Sequence, residues 1–320
     1  MRDLAAADRV VYGYNKSASG TRTAAREGFD VSNDLDAALE RANNDSALIV
    51  IAVPMGAVGF VLDEIVAKAP NCGITDVVSV KTPVYRAIKE RGLQDRYVGS
   101  HPMAGTEESG WNASKTGLFV RCAWVITYDY AVECEAVGQS VPVDWLRLFI
   151  DVNRMIMTAK AETVPSQVRA HDEAVARVSH LPHVIAEALA LVGDNGGVIA
   201  QSLAASSFKD ATRVAGTAPE LVRAMCESNA PALVDIIDEF IGRLQDARES
   251  LSGPEPSIKE LAENGHIART RLVARSGARR GSVSPVKVSS RPVLRFHPGG
   301  NNWLAQLKQA EDIGARIEIF

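Results

Sequence analysis

One histidine lies in a setting that suits proton transfer. His101 stands in the segment Gly99–Gly105, which reads G-S-H-P-M-A-G and follows a short apolar stretch ending at Val98. Pro102 disfavours the helical backbone region for His101, so the pattern predicts a loop after a strand. An imidazole titrates near neutral pH and can take a proton from a hydroxyl group. A lone loop histidine can also be an ordinary turn residue, so its chemistry depends on what the fold places beside it.

The elements that would position His101 belong to an α/β fold. Residues 1–159 alternate short apolar stretches with helical patterns, which predicts a doubly wound parallel sheet. The predicted strands are Arg9–Tyr14, Ala47–Val53, Thr75–Val80, Arg96–Val98 and Ala123–Thr127, with helices at Gly56–Ala69 and Pro83–Arg91. Ligands of such sheets bind at the carboxyl ends of the strands. Ser79, Lys81 and His101 all lie at or after predicted strand ends, so one edge of the sheet can bring them together.

Five motifs in chain order resemble those of the prephenate/arogenate dehydrogenases, the oxidoreductases of tyrosine biosynthesis. They are D-V-V-S-V-K from Asp76, the His101 segment, His171-Asp172, S-H-L-P-H from Ser179 and F-K-D-A-T-R-V-A from Phe208. The resemblance implies NAD(P)-dependent oxidative decarboxylation of prephenate to 4-hydroxyphenylpyruvate. Arogenate, which would give tyrosine directly, is the alternative substrate.

The resemblance also implies roles for four residues. His101 would accept the proton of the substrate's ring hydroxyl, and Ser79 would orient that hydroxyl. Arg213 would hold a substrate carboxylate, because a guanidinium can grip a carboxylate through two parallel hydrogen bonds. His183 would face the substrate. Arg213 also has a plainer interpretation, since most single arginines lie on a solvated surface.

The second half, residues 160–253, is predicted to be helical. One long helix is predicted over Ala161–Leu191, with a kink at Pro182, and others over Pro219–Ser228 and Ala230–Leu251. The resemblance implies that this part is an all-α dimerisation domain. His171 and His180 suit hydrogen bonds at a helix terminus or between domains. No metal site is predicted, because no H-E-x-x-H motif or nearby cysteine accompanies the histidines.

The nucleotide end departs from the usual pattern. A dinucleotide-binding fold begins with a strand and a G-x-G-x-x-G turn, whereas M-R-D-L-A-A-A resembles the end of the first helix. The resemblance therefore implies an N-terminally truncated domain. Either a strand and turn precede Met1, which the intact downstream pattern favours, or the protein is natively shortened and binds cofactor poorly or not at all.

The predicted cofactor is NAD or NADP. Its predicted contacts are Asn15, Lys16, Ser17, Val53, Pro54 and Lys81. Asn15 stands where the resemblance would place an acidic residue, which bonds the ribose hydroxyls and repels a 2′-phosphate. Asn15 removes that repulsion, and Lys16 and Ser17 could hold the phosphate. Both cofactors stay open.

Composition limits the function classes. A net charge of −4 over 320 residues gives no electrostatic reason to expect nucleic acid or a membrane as a partner. The four cysteines form no C-x-x-C pair, which is typical of reduced thiols in the cytoplasm. No apolar run reaches the ~20 residues of a membrane span, and no signal peptide is evident. We therefore expect a cytoplasmic protein, and the resemblance implies that it is a homodimer that acts on a small molecule.

Residues 254–320 are predicted to form a small C-terminal α/β appendage. After a linker at Pro254–Pro256 and a basic, solvated loop over Arg269–Arg280, the pattern predicts a β-α-β unit. Its elements are a strand at Arg291–Phe296, a helix at Trp303–Ile313 and a strand at Ala315–Phe320.

Two rival interpretations remain. One is another two-domain dehydrogenase of small hydroxy acids, but such an enzyme usually relies on a lysine in its helical domain. The helical stretch near His171 offers no lysine in that setting. The other is a non-catalytic homologue that has lost its cofactor loop.

Overall fold

The computed structural model of the protein describes residues 1–105, 110–275 and 291–320. The strands are β1 (Tyr12–Tyr14), β2 (Asp30–Ser32), β3 (Ile49–Ile51), β4 (Ile74–Asp76), β5 (Ser100–Pro102), β6 (Ala123–Ile126), β7 (Glu162–Pro165), β8 (Val293–Phe296) and β9 (Arg316–Ile319). The helices of the first half are α1 (Arg2–Ala5), α2 (Ala18–Arg26), α3 (Leu35–Asp45), α4 (Met55–Lys68), α5 (Thr82–Lys89), α6 (Asp129–Ala136) and α7 (Val143–Thr158). The later helices are α8 (Val168–Val175), α9 (Leu181–Asp194), α10 (Gly197–Ser202), α11 (Ser206–Thr212), α12 (Pro219–Ser228), α13 (Ala230–Ser252), α14 (Lys259–Arg275) and α15 (Trp303–Ile313).

The first half has the predicted α/β class, with a sheet that is mixed and divided. β1 pairs in parallel with β2, and β3 pairs in parallel with β4, but these two pairs share no ladder in the described part of the chain. Tyr97 bridges Ile74 in parallel. β5 then runs antiparallel to β6, which is parallel to β7. The predicted parallel pairing is confirmed for three of these four strand pairs, and the antiparallel β5–β6 pair was not predicted.

Three local predictions are corrected. His101 lies in strand β5 and not in a loop, since the extended backbone that Pro102 favours also suits a strand. The segment at Arg96 ends a short 3₁₀ helix, Gln94–Arg96. The predicted long helix from Ala161 begins instead with strand β7, where Thr163 and Val164 are β-branched. The sheet thus extends past the predicted domain boundary at 159.

The helical half begins with a distorted helix. A π-helical turn, Ala176–His180, joins α8 to α9 directly before Pro182, which replaces the predicted simple kink. Pro182 lies in the first turn of α9, directly after this wider turn, where the regular α-helical hydrogen bonds are already interrupted. The run Val168–Asp194 is the one stretch of the described chain with the length and hydropathy of a membrane span. Within it, 22% of the 18-residue window that passes this test is buried. Core helices of soluble proteins pass the same test.

The C-terminal unit is the predicted β-α-β unit, with β8 parallel to β9. It is not a loose appendage. Leu307 of α15 and Ile317 of β9 share a hydrophobic core with Ile126 of β6 and Phe149 of α7. The basic stretch predicted as a loop is helical as far as Arg275, in α14. Its remainder lies outside the described residues.

Candidate active site

A chain of hydrogen bonds links the two domains at His101. His101 Nδ1 and His171 Nε2 are 2.9 Å apart, and His171 Nδ1 lies 2.8 Å from Asp172 Oδ1. His101 comes from β5, whereas His171 and Asp172 come from α8 and are buried. Asp172 is fixed in turn by the backbone amides of Lys81 and Thr82, each of which donates to its carboxylate at 2.8 Å. The backbone at the start of α5 therefore anchors this chain of hydrogen bonds.

These contacts determine which ring nitrogens carry protons. The carboxylate of Asp172 accepts, so His171 Nδ1 must donate to it. A neutral His171 then has an accepting Nε2, and His101 Nδ1 donates to that atom. The consequence is that Nε2 of a neutral His101 is an acceptor, as a base for a substrate hydroxyl must be.

Electrostatics favour this arrangement. Burial, reinforced by His171, Lys81 and His180, holds the pKa of His101 well below its ordinary value, so its ring is neutral at rest. Burial raises the pKa of Asp172, but hydrogen bonds from His171, Lys81 and Thr82 outweigh it and hold that pKa below its usual range. The site thus pairs an ionised carboxylate with an unprotonated imidazole.

Lys81 does not serve as the predicted cofactor contact in this structure. Its side chain has no exposed surface, and its ammonium group pairs with the Asp76 carboxylate and donates to the Ser100 carbonyl at 2.7 Å. The Tyr97 hydroxyl donates to the other oxygen of Asp76 at 2.5 Å. A buried ammonium without partners would be costly, so these bonds account for its position. Lys81 therefore braces the backbone beside His101.

His180 and His183 lie on the helical side of the site. The Asn229 amide nitrogen donates to the Asp172 carbonyl at 2.8 Å and contacts His180 Nδ1 at 3.1 Å, so that ring nitrogen accepts. Burial lowers the pKa of His180 to about 4. His183 Nδ1 is buried without a hydrogen-bond partner in the described chain. A buried polar atom without a partner is a position that a bound ligand can satisfy.

Ser79 and Arg213 are placed less tightly. Ser79 is half-buried in the loop between β4 and α5, and its hydroxyl bonds to no described residue. Because Lys81 of the same loop reaches the Ser100 carbonyl, this loop lies against the His101 strand. Arg213 is exposed and begins a 3₁₀ turn that packs on α9, the helix of His183. Among the described residues, the hydrogen-bond partner of the His101 ring is His171, and neither Ser79 nor Arg213 bonds to that ring.

The loop after β1 fits the ribose end of a dinucleotide. Asn15 Oδ1 accepts from the Ser17 amide at 2.9 Å, and Ser17 Oγ caps α2 through the Gly20 amide at 3.3 Å. Asn15, Lys16 and Ser17 are all exposed at the carboxyl end of the strand. Exposed polar groups at a strand end and helix N-terminus are suited to sugar and phosphate oxygens.

The predicted contacts Val53 and Pro54 lie after another parallel strand, β3. Val53 and Pro54 follow β3 at its carboxyl end, and Pro54 precedes the first turn of α4. Pro54 is exposed and Val53 half-buried. The 320 residues contain no G-x-G-x-x-G motif, which would bind the pyrophosphate of a dinucleotide. The residues described here therefore suit the ribose side of the dinucleotide.

Comparison with known proteins decides the family. A sequence profile described as "Prephenate dehydrogenase, nucleotide-binding domain" matches residues 4–141. A second, "Prephenate dehydrogenase, dimerization domain", matches residues 167–264. The chain belongs to the prephenate dehydrogenase family. The predicted nucleotide-binding domain and helical dimerisation domain are confirmed, and in this chain the His101–His171 contact joins the two matched segments.

Relatives extend the match over the whole chain. A cyclohexadienyl dehydrogenase of Zymomonas mobilis is 32% identical over 71% of this chain and 74% of its own. The crystal structure of a candidate prephenate dehydrogenase of Corynebacterium glutamicum is 54% identical, with a TM-score of 0.92 over 100% of this chain and 94% of that one. Prephenate dehydrogenase of A. aeolicus, in complex with hydroxyphenyl propionate and NAD+, shares the fold at 23% identity, with a TM-score of 0.72 over 85% of this chain and 92% of that one.

Sequence reasoning missed the connection between His101 and its partners. Asp172 received no role, and His171 was expected to make a structural or interdomain bond. The structure shows that its interdomain bond is to His101 itself. The adjacency of His171 to Asp172 was the available signal, since an imidazole beside a carboxylate is often oriented by it.

Proposed function

We propose that the protein is an NAD(P)-dependent dehydrogenase that converts prephenate to 4-hydroxyphenylpyruvate by oxidative decarboxylation. The observation that carries the proposal is the His101–His171–Asp172 chain, which leaves His101 Nε2 as an unprotonated acceptor. The family membership and the exposed polar loop after β1 support the use of a nicotinamide cofactor.

In the proposed reaction the substrate's hydroxyl-bearing ring carbon loses a hydride and the ring carboxylate leaves as carbon dioxide. The bonding pair released from the carboxylate enters the ring, which becomes aromatic. The nicotinamide, when bound, supplies the hydride acceptor. Because the phenol product keeps its hydroxyl group, no net proton is released.

His101 acts on the hydroxyl group while the hydride departs. As the carbon–oxygen bond gains carbonyl character, the hydroxyl proton becomes acidic, and His101 Nε2 accepts it within about 2.6–3.2 Å. The imidazolium so formed donates through Nδ1 to His171, which Asp172 stabilises. The proton then returns to the phenol oxygen. Ser79 holds and orients the same hydroxyl.

Arg213 and His183 bind the substrate from the helical domain. Arg213 provides an exposed guanidinium for a carboxylate, and His183 provides a buried nitrogen that needs a partner. Asn15, Lys16 and Ser17 hold the ribose end of the cofactor, beside Val53 and Pro54. Since the chain carries the family's dimerisation domain, the proposed enzyme is a homodimer. Its four free cysteines support a cytoplasmic location.

Arogenate is the second candidate substrate. It differs from prephenate in an amino group where prephenate has a keto group, which leaves the ring chemistry at His101 unchanged. The relative from Zymomonas mobilis carries the broader name of cyclohexadienyl dehydrogenase. The test must therefore offer both compounds.

The experiment incubates the purified protein with prephenate or arogenate and saturating NAD+ or NADP+. Reduced nicotinamide and carbon dioxide should form in equal amounts, and the aromatic product identifies the substrate. If the protein turns over arogenate but not prephenate, arogenate is the substrate and the first proposal is wrong. If neither compound reduces either cofactor, the proposed function is wrong.

A further inference from the structure

Glu311 of the C-terminal unit contacts the segment that connects the two domains. Its Oε1 accepts from the Ser166 hydroxyl and from the Gln167 amide, at 2.9 Å each, and its Oε2 accepts from the Tyr128 hydroxyl. Ser166 and Gln167 lie between β7 and α8, where the chain passes from the sheet to the helical domain. One carboxylate therefore ties the C-terminal unit to this connection.

The N-terminus of α8 depends on carboxylates from other elements. Its N-cap residue, Gln167, makes no side-chain cap, although the first amides of a helix have no partner within it. Glu311 accepts from the Gln167 amide, and Asp129 of α6 accepts from the Val168 amide at 3.0 Å. Negative charge is also favoured there by the helix dipole. Glu311 is thus one of two acidic side chains that fix where α8 begins.

The anchored turn leads directly to the proposed catalytic chain. The His171 amide donates to the Gln167 carbonyl at 2.9 Å, and His171 Nε2 contacts His101 Nδ1 at 2.9 Å. One helical turn therefore separates the residue that Glu311 holds from the residue that orients His101. We propose that Glu311 is a positioning residue, which fixes the start of α8 and thereby holds His171 in line with His101. The proposal rests on the proposed function for its effect on turnover.

Helix α15, which contains Glu311, is closely packed against the first domain. Leu307 and Ala310 of α15 are fully buried, and Leu304 nearly so. Because close-packed interiors have low compressibility, this packing holds the Glu311 backbone at a fixed position relative to the sheet. The neighbouring Lys308 provides a control, since it also links the unit to the first domain but does so on the surface. Its ammonium group lies 2.5 Å from Glu135, with both side chains about half exposed.

The first test compares steady-state kinetics of three single variants. We expect Glu311→Ala to lower kcat about tenfold with KM within about twofold, because small displacements of catalytic groups cost rate. Glu311→Gln should recover most of the rate, because its amide oxygen can still accept from the Gln167 amide. Lys308→Ala should keep the wild-type kcat. A Lys308→Ala loss equal to that of Glu311→Ala would overturn the proposal.

A double-mutant cycle separates positioning from general destabilisation. If Glu311 acts through His171, Glu311→Ala should lower kcat much less in a His171→Ala background than in the wild type. Losses that multiply independently in the two backgrounds would overturn the proposal, because the effect would then bypass His171.

Hydrogen exchange tests the positioning without any substrate. In Glu311→Ala the amides of the first turn of α8 should lose protection, while Lys308→Ala should leave them protected. Unchanged protection in Glu311→Ala would overturn the proposal. If the wild type turns over neither prephenate nor arogenate, the proposed function fails, and the exchange result alone then decides the role of Glu311.

Discussion

The two sides of the proposed site are built differently. On the sheet side, His101 lies over a buried network in which Lys81, Asp76 and Asp172 all have partners. On the helical side, Arg213 is exposed and His183 Nδ1 is buried without a partner in the described residues. The proposed proton-handling groups are therefore preorganised by the chain itself, whereas the proposed substrate-binding groups make no hydrogen bond to another described side chain that would fix them. Variants on the two sides should consequently change different kinetic constants.

The largest effect is expected at the preorganised side. His101→Asn removes the acceptor while keeping a similar polar side chain, so kcat should fall by ~10² to 10⁴. Cofactor binding and the melting temperature should stay close to wild type. Steady-state kinetics at saturating substrate check this, and near-normal turnover would remove His101 from the mechanism.

The helical side should respond through binding. Arg213→Ala should raise KM about 30-fold or more, equivalent to the ~2 kcal/mol or more lost with one charged partner, and leave kcat within a few fold. Arg223→Ala is the matched control, since Arg223 is an exposed arginine of α12 that pairs with Glu227. An unchanged KM in Arg213→Ala would make Arg213 a surface residue.

A smaller effect is expected at the nucleotide loop. Asn15→Asp keeps an acceptor for the Ser17 amide but adds a charge that repels a 2′-phosphate. The ratio of KM for NADP+ to KM for NAD+ should rise about tenfold, or ~1.4 kcal/mol. Asn15→Ala has no charge and no acceptor, so it shows how much of the change in the KM ratio comes from the geometry of the loop. If Asn15→Asp and Asn15→Ala change the ratio equally, charge is not the cause.

The last prediction concerns stability near the domain connection and not turnover. Burial raises the pKa of Asp129 to about 7, above its value in an unfolded chain. The folded state therefore holds a proton that the unfolded state releases, and stability falls as the pH rises between the two values. Asp129→Asn removes this loss, so its gain over wild type should be larger at about pH 8 than at about pH 5, by ~1–3 kcal/mol. Urea unfolding at fixed protein concentration measures it, and equal differences at both pH values would contradict it.

Local patterns were enough for much of the fold. The helices Pro219–Ser228 and Trp303–Ile313 were predicted to the residue, because each begins at a strong boundary and keeps a helical apolar spacing. The β-α-β order of the C-terminal unit also followed from local patterns. Strand β7 was missed because four residues beside a long helical pattern carry too little periodicity.

The sequence alone determined the α/β and helical division of the chain, the family, and the residues able to do chemistry, because these depend on residue types and on spacing along the chain. Only the tertiary structure decided how those residues are used. The bond between His101 and His171 joins residues 70 positions apart, and the contact of Glu311 with Gln167 joins residues 144 positions apart. The burial of Lys81 against Asp76 likewise depends on how the β4–α5 loop packs on the strand of Ser100. Such pairings depend on three-dimensional packing, which periodicity and motif spacing do not encode.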